Sequence, residues 1–221
     1  MQMYSGDESD LVEYVDHMGN DDAVCDAARV SMNKTSDLYT VTQNEKLIRY
    51  LAKHNHWSPF SHCTLKLRFK APLFVARQLQ KHQVGFAWNE ISRRYVDTEP
   101  SFWIPQQFRK RAENVKQGSS QDTYEFNHLA RVDLIKASEN SLKIYNELIT
   151  SGVCPEQARM FLPQNMMTEW IWTGSLYAWS RMYKLRIDPH AQFECQIYAK
   201  LVDEICLKYF PISWRCLNEV G

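Results

Sequence analysis

The segment Asn89-Glu-Ile-Ser-Arg-Arg-Tyr95 sets a carboxylate, a hydroxyl and a guanidinium at alternate positions. If the segment is extended, Glu90, Ser92 and Arg94 project from one face, because side chains alternate along a strand. That set suits a sugar phosphate, with arginine for the phosphate, serine for a second hydrogen bond and glutamate for a hydroxyl or amide. The same spacing describes an exposed strand edge with a solvated charge pair, and the residues alone leave both readings open. Arg159 and Arg186, on the residues alone, read as ordinary ion-pair partners, for example of Glu156 and Asp188. His54, His56 and His62 lie close together in sequence, but no carboxylate or thiolate stands near them at ligand spacing, so no metal site is expected. The six cysteines (Cys25, Cys63, Cys154, Cys195, Cys206 and Cys216) form no C-x-x-C pair and read as free thiols acting as small hydrophobes.

The balance of charge narrows the partners. Among 221 residues, 26 Lys and Arg offset 26 Asp and Glu, so no overall field draws the chain to nucleic acid or to a membrane. A small anion held by a few local arginines remains compatible with that balance. No window approaches 18 uncharged apolar residues, and the first thirty lack a basic-then-apolar leader, so a cytoplasmic location is expected.

The elements that must position these groups read as one α+β domain over residues 1–221, a small, mostly antiparallel sheet flanked by long helices. Met1 to Asp10 is polar and expected to be loose, and Leu11 to Met18 to form a short strand. Asn20 or Asp21 caps a small helix reaching about Ser31. Thr42-Gln-Asn-Glu45 has the form of a capping box, ahead of Leu47, Tyr50, Leu51 and His54 at helical spacing, with Asn55 as a left-handed stop. Cys63 to Lys70 is the clearest strand, with Cys63, Leu65, Leu67 and Phe69 on one face. Pro72 opens a helix that buries Val75, Ala76 and Leu79 and pairs Arg77 with Lys81 and Gln78 with His82. Val96 to about Gln121 reads as irregular. A long amphipathic helix to Ser151 carries Ile135, Leu142, Tyr145 and Ile149. A short helix from Pro155, one from about Met166 to Lys184, and one from His190 to Tyr209 complete the expectation. Trp170, Trp172 and Trp179 read as packing, with Tyr177 as the aromatic that could face a ligand.

At the Asn89–Tyr95 segment the chain resembles the flavin-dependent thymidylate synthases, whose signature is Arg-His-Arg, a short spacer, then Asn-Glu-x-Ser-x-Arg-Tyr. Further blocks are similar and in the same order: Met18-Gly-Asn-Asp21, Ala27-Ala-Arg-Val-Ser31, His54-Asn-His-Trp-Ser-Pro-Phe60, Lys70-Ala-Pro-Leu-Phe-Val-Ala-Arg-Gln78, Ala158-Arg-Met-Phe-Leu-Pro163 and Leu185-Arg-Ile-Asp-Pro-His-Ala-Gln192. The resemblance implies conversion of dUMP to dTMP without an enzyme nucleophile. It implies FAD as cofactor, NADPH as reductant, methylenetetrahydrofolate as carbon donor, and a homotetramer with active sites shared between chains. By position it implies that Gln78, Lys81, Glu90, Ser92, Arg94, Arg159 and Arg186 hold dUMP, with Arg186 polarising the uracil ring. It likewise implies that His56, Ser58, Lys81, His82, Gln83, Glu90, Ser175, Tyr177 and Arg181 surround the flavin and folate.

The chain departs from the pattern at two places. Lys81-His-Gln83 stands where the family has Arg-His-Arg, and an ammonium cannot reproduce a bidentate fork. The spacer to Ser92 is one residue longer, with Gly85 available to absorb it. Ser175, Tyr177 and Arg181 occupy positions where relatives often place Asn and Arg against the flavin. These departures leave two alternatives, a relative that installs another C5 group such as hydroxymethyl, and a non-catalytic dUMP-binding relative. A cysteine-nucleophile mechanism is not expected, because no cysteine lies in a block that matches the dUMP-binding residues.

Overall fold

A computed structural model describes residues 1–4, 8–96, 98–113 and 119–219. Residues 5–7, 97 and 114–118 fall within the segments expected to be loose or irregular and lie outside the described residues. In chain order the elements are β1 (Gln2–Tyr4), β2 (Val12–Met18), α1 (Asp21–Arg29), α2 (Val41–Lys53), α3 (Ser58–Ser61), β3 (Thr64–Pro72), α4 (Leu73–Leu79) and β4 (Phe86–Glu90). There follow β5 (Ser101–Trp103), β6 (Arg109–Arg111), β7 (Ser119–Thr123), α5 (Asn127–Thr150), α6 (Pro155–Ala158), β8 (Met167–Ser175), α7 (Leu176–Ile187), α8 (Phe193–Tyr209) and α9 (Pro211–Asn218).

The sheet that carries the site is four-stranded, ordered β2-β3-β8-β4 and antiparallel throughout. Alternation in β3 sends Cys63, Leu65, Leu67 and Phe69 into the core, where all four are fully buried. β8 pairs along the whole of β3, from Thr64 opposite Ser175 to Pro72 opposite Met167, and turns Thr168, Trp170, Trp172 and Gly174 to the same inner face. Phe69 stacks on Trp170 at 5.1 Å, and Trp172 meets Trp179 of α7 edge-on at 4.8 Å. α7 and α8 cover this face and are tied to β3 through its carbonyls: Trp179 Nε1 donates to Leu65 O at 3.1 Å and the Tyr198 hydroxyl to Lys70 O at 2.8 Å. A smaller core gathers Leu142 and Tyr145 of α5 with Phe102, Ala158, Leu162 and Met166.

Gly174 is closely packed in the sheet, since a Cβ there would overlap the ring of Phe86 on β4. Gly174→Ala is expected to cost about 1–3 kcal/mol by overpacking. A lowered midpoint in chemical unfolding checks this, and an unchanged midpoint would contradict it.

The structure corrects several expectations. Met167 to Ser175 is the long central strand β8 and not the start of a helix, which begins only at Leu176. The bulky Trp-Ile-Trp-Thr run favours a pleated surface, and residues on both its faces are at least partly buried, which hides the alternation. The capping box is Thr40 with Gln43, two residues ahead of the Thr42–Glu45 pair, and Tyr50 faces solvent while Ile48 and Leu51 are buried. Pro72 closes β3 and caps α4 from outside, one position earlier than expected. α4 ends at Leu79, so the four-apart pairings of Arg77 with Lys81 and Gln78 with His82 do not form. Within Val96–Gln121, β5 pairs with β1 and β6 with β7, so that segment is not wholly irregular. α8 starts at Phe193 and not His190, because the Asp188 side chain and carbonyl first take the N–H groups of His190 and Ala191 in a turn. α9 was not expected; two Asp21 oxygens cap it by accepting from Ile212 and Ser213 N–H at 2.9 and 2.8 Å.

Candidate active site

The expected site residues fall into three groups on this chain. The first lies where α4 and α7 end. After Leu79 the chain turns through His82 to Gly85, whose φ of +82° and 2.9 Å clearance to the Ala178 Cβ admit only glycine without strain. The turn sets His82 beneath α7. Arg186 stands in the last turn of α7, where unsatisfied carbonyls favour a cation. Its Nε donates to His82 Nε2 at 2.9 Å and its Nη2 to the Gln78 carbonyl at 3.2 Å. The Gln78 side chain in turn accepts from the Cys195 thiol of α8. Beside Gln78 and Arg186 opens a cavity of about 680 Å³, also lined by Arg109, Lys184, His190 and Glu194. Arg109 reaches across from β6 to pair with Glu194 at 2.7 Å.

Burial first, then the Arg186 and Arg181 charges, push the His82 imidazole down to about 4. Because that value lies below the ordinary ~6.5, the unfolded chain takes up the proton first as pH falls. The stability His82 contributes is therefore intact above about pH 6.5 and is lost as pH drops towards 4. Thermal midpoints measured over this window should fall less steeply in His82→Gln than in the unaltered protein. Parallel curves would contradict the burial of a neutral ring.

The second group lies at the far end of β4. Glu90 closes the strand, accepting from the Thr168 hydroxyl at 2.6 Å and from Trp88 Nε1 at 3.2 Å. An extended chain does not continue to Arg94: the Ser92 carbonyl takes the N–H groups of Tyr95 and Val96, and the chain turns. Ser92 and Arg94 still converge, because the turn folds Arg94 Nε back to Ser92 Oγ at 3.3 Å. Arg94 comes within 3.9 Å of Glu156, and Arg159 donates to the Glu156 carbonyl at 3.3 Å, so both guanidinium groups flank one residue and face solvent. Arg159 does not pair with the Glu156 carboxylate among the described residues, nor does Arg186 pair with Asp188.

The third group surrounds the start of α7. Ser175 caps that helix by accepting from Ala178 N–H at 3.2 Å. The Tyr177 hydroxyl donates to Asn55 Oδ1 at 3.1 Å, and its ring lies 6.2 Å from that of Trp57, so Tyr177 faces the 54–58 segment that carries His56 and Ser58. The φ of +55° at Asn55 is the left-handed stop expected from sequence. Lys81, Gln83 and Arg181 are exposed, and among the described residues their side chains have no hydrogen-bond or ion-pair partner. Sequence reasoning missed Thr168, Cys195, Arg109 and Asn55 as contacts of site residues. Thr168 could have been found by reading β8 as a strand, whereas the others meet their partners only through tertiary folding.

All six cysteines are free, with Cys154 exposed and the others buried. Burial raises the thiols of Cys25 to about 11 and of Cys63 and Cys195 to about 12, and raises those of Cys206 and Cys216 as well. A thiol held that high is protonated at neutral pH and is a poor nucleophile. Each single Cys→Ala variant at these five buried positions is therefore expected to retain turnover, at a stability cost of about 1 kcal/mol. Complete inactivation by one of them, in a folded protein, would reverse this assignment.

An α+β subunit with arginine-rich clusters at both ends of one edge strand is a scaffold for an anionic ligand. The family model described as Thy1, thymidylate synthase complementing protein, matches residues 13–212, and the chain belongs to that family. It is 39% identical over 209 residues to a flavin-dependent thymidylate synthase of Thermus thermophilus, covering 95% of this chain and 76% of that one. It is also 39% identical over 206 residues to one from Thermosipho africanus, covering 93% and 89%. Among solved structures it is similar to a UMP/dUMP methylase, PolB from Streptomyces cacaoi, bound with 5-Br dUMP, with a TM-score of 0.85, 28% identity and 95% coverage of both chains.

Proposed function

We propose that this methyltransferase converts dUMP to dTMP, with methylenetetrahydrofolate as carbon donor and NADPH-reduced FAD as hydride source, and without an enzyme nucleophile. The observation that carries the reading is the Arg186 node. There a permanently charged guanidinium is held by a neutral His82 and a backbone carbonyl beside a polar cavity. Such a group stabilises a developing anion, as on a uracil ring losing its N3 proton, without itself titrating. The names of the relatives support the reaction class and the flavin, and the substrate analogue bound to the structural relative supports a uridine nucleotide.

The donor set fits a flavin cofactor. Lys81, next to His82 in sequence, and Arg181, near enough for its charge to act on the His82 ring, are exposed cations without ion-pair partners among the described residues and suit its diphosphate. His56, Ser58, Gln83, Glu90, Ser175 and Tyr177 would complete its surroundings and those of the folate. When bound, the flavin supplies the hydride that completes the methyl group. The chain's own residues bind and orient. Arg94 and Arg159 hold the phosphate, the Ser92 hydroxyl donates to it, the Glu90 carboxylate accepts from a sugar hydroxyl or an amide, and Gln78, Lys81 and Arg186 seat the base. Thr168 holds the Glu90 carboxylate at 2.6 Å and fixes its direction. We further propose that the chains assemble as a homotetramer and that the protein acts in the cytoplasm.

The reading is tested by incubating the protein with dUMP, methylenetetrahydrofolate, NADPH and FAD, omitting each in turn, and identifying products by mass. dTMP formed only in the complete mixture supports it. A hydroxymethyl product formed without flavin turnover, or binding of dUMP with no product, would overturn it. Because the structural relative is named for both UMP and dUMP, the same assay with UMP reports whether the ribose 2′-hydroxyl is tolerated.

A further inference from the structure

We propose that His82 is a positioning residue, whose neutral imidazole accepts from Arg186 Nε and fixes the plane of the guanidinium presented to the substrate. The inference deepens the reading above and rests on it for the role of Arg186. A guanidinium carries five N–H donors in a rigid plane. Two are committed to the protein, Nε to His82 Nε2 at 2.9 Å and one on Nη2 to Gln78 O at 3.2 Å. These anchors lie at separated points on the fork, so together they set both the direction and the rotation of the plane, and the remaining donors stay available to a ligand.

The contact dictates the state of the ring. Nε2 accepts only if it is unprotonated, so the proton must reside on Nδ1. The surroundings enforce this. The ring is half-buried, which disfavours its charged form, and Arg186 and Arg181 of α7 both repel an added proton. On the α8 side, Cys195, which donates to the Gln78 side chain, is a protonated thiol and offers no anion to draw a proton in. That thiol ties the side chain of Gln78, whose backbone carbonyl anchors Arg186, to α8. The turn carrying His82 is fixed by His82 N–H donating to Leu79 O at 3.0 Å and by the close packing of Gly85 against Ala178. The altered Lys81-His-Gln83 signature keeps the one member of the triplet that this contact requires.

Two measurements decide the matter. In protein labelled with ¹⁵N-histidine, His82 should show an unprotonated Nε2 and a protonated Nδ1 over about pH 5 to 8, with no titration in that range. In Arg186→Ala its titration should move up towards the ordinary ~6.5. In the methylation assay at saturating cofactors, His82→Ala should lower kcat about 100-fold with little change in the KM for dUMP. His82→Gln, whose amide oxygen can still accept from Nε, should recover most of that loss. A His82 that titrates near ~6.5 in the unaltered protein, or identically with and without Arg186, would overturn the proposal. So would equal activity of the alanine and glutamine variants. The labelling experiment needs no turnover: if the unaltered protein makes no dTMP, the proposed reaction fails while the titrations still decide the contact.

Discussion

Arg186→Ala is expected to reduce dTMP formation by about 10²–10³-fold in kcat, the loss typical of removing one preorganised donor to a developing anion. The chain holds this guanidinium at the C-terminal end of α7, between His82 Nε2 and the Gln78 carbonyl. Fixed there before substrate arrives, it needs no reorganisation as charge accumulates on the ring. Arg186→Lys is expected to recover little. An ammonium is a compact point charge on a flexible stem and cannot reach both anchors while facing a ligand. Rapid-quench measurement of single-turnover dTMP formation separates this loss from one in binding. The Arg94→Ala and Arg159→Ala variants should instead raise the KM for dUMP, because phosphate contacts act in ground and transition states alike. If Arg186→Ala retained kcat and changed only KM, the guanidinium would be a binding group and the mechanism would need another stabiliser.

Much of what positions Arg186 and its neighbours was legible in sequence, where the deciding interactions are local. β3 could be read because its two faces differ in polarity, so alternation from Cys63 to Phe69 is plain. Asn20 and Asn55 were recognisable because a helix cap and a left-handed stop are chemistry of a few adjacent residues. β8 was not legible. Its odd positions include Met167, Ile171 and Thr173, which are apolar or β-branched and at least partly buried like its inner ones, and the true helix α7 follows without a break, so the two merge into one apparent helix. That error hid Thr168, which holds Glu90, and with it the reason the Glu90 side chain points where it does. The turn at Ser92 is not legible in sequence for a related reason. Strand spacing and a fold-back turn can bring Ser92 and Arg94 together equally well, and only the backbone bonds from Tyr95 and Val96 distinguish them. The Arg186–His82 contact joins residues 104 apart in sequence, and no local pattern encodes it.

Co-expressed Arg94→Ala and Arg186→Ala chains, assayed at dUMP well below the KM of Arg94→Ala, are expected to be more active than either variant alone. The reason is the division of the site. The Arg186 node sits before β4 and the Arg94–Arg159 cluster beyond it. The four residue steps of β4, from Phe86 to Glu90, span about 13 Å. Among the described residues no hydrogen bond or ion pair bridges the two. A nucleotide must have both its base and its phosphate held. If the base-side node of one chain meets the phosphate-side cluster of another, each complete site draws on two chains. The surface beside the cluster suits burial against such a partner: Tyr95 next to Arg94 is 77% exposed, and Met160 next to Arg159 is 74% exposed. With random mixing, about one quarter of the shared sites would then carry both arginines. Native mass spectrometry would establish that mixed assemblies form, and the methylation assay would read the recovered activity. Mixed assemblies no more active at limiting dUMP than the single variants, or a protein that is active as a monomer, would place both arginines of each site on a single chain and overturn the shared-site reading.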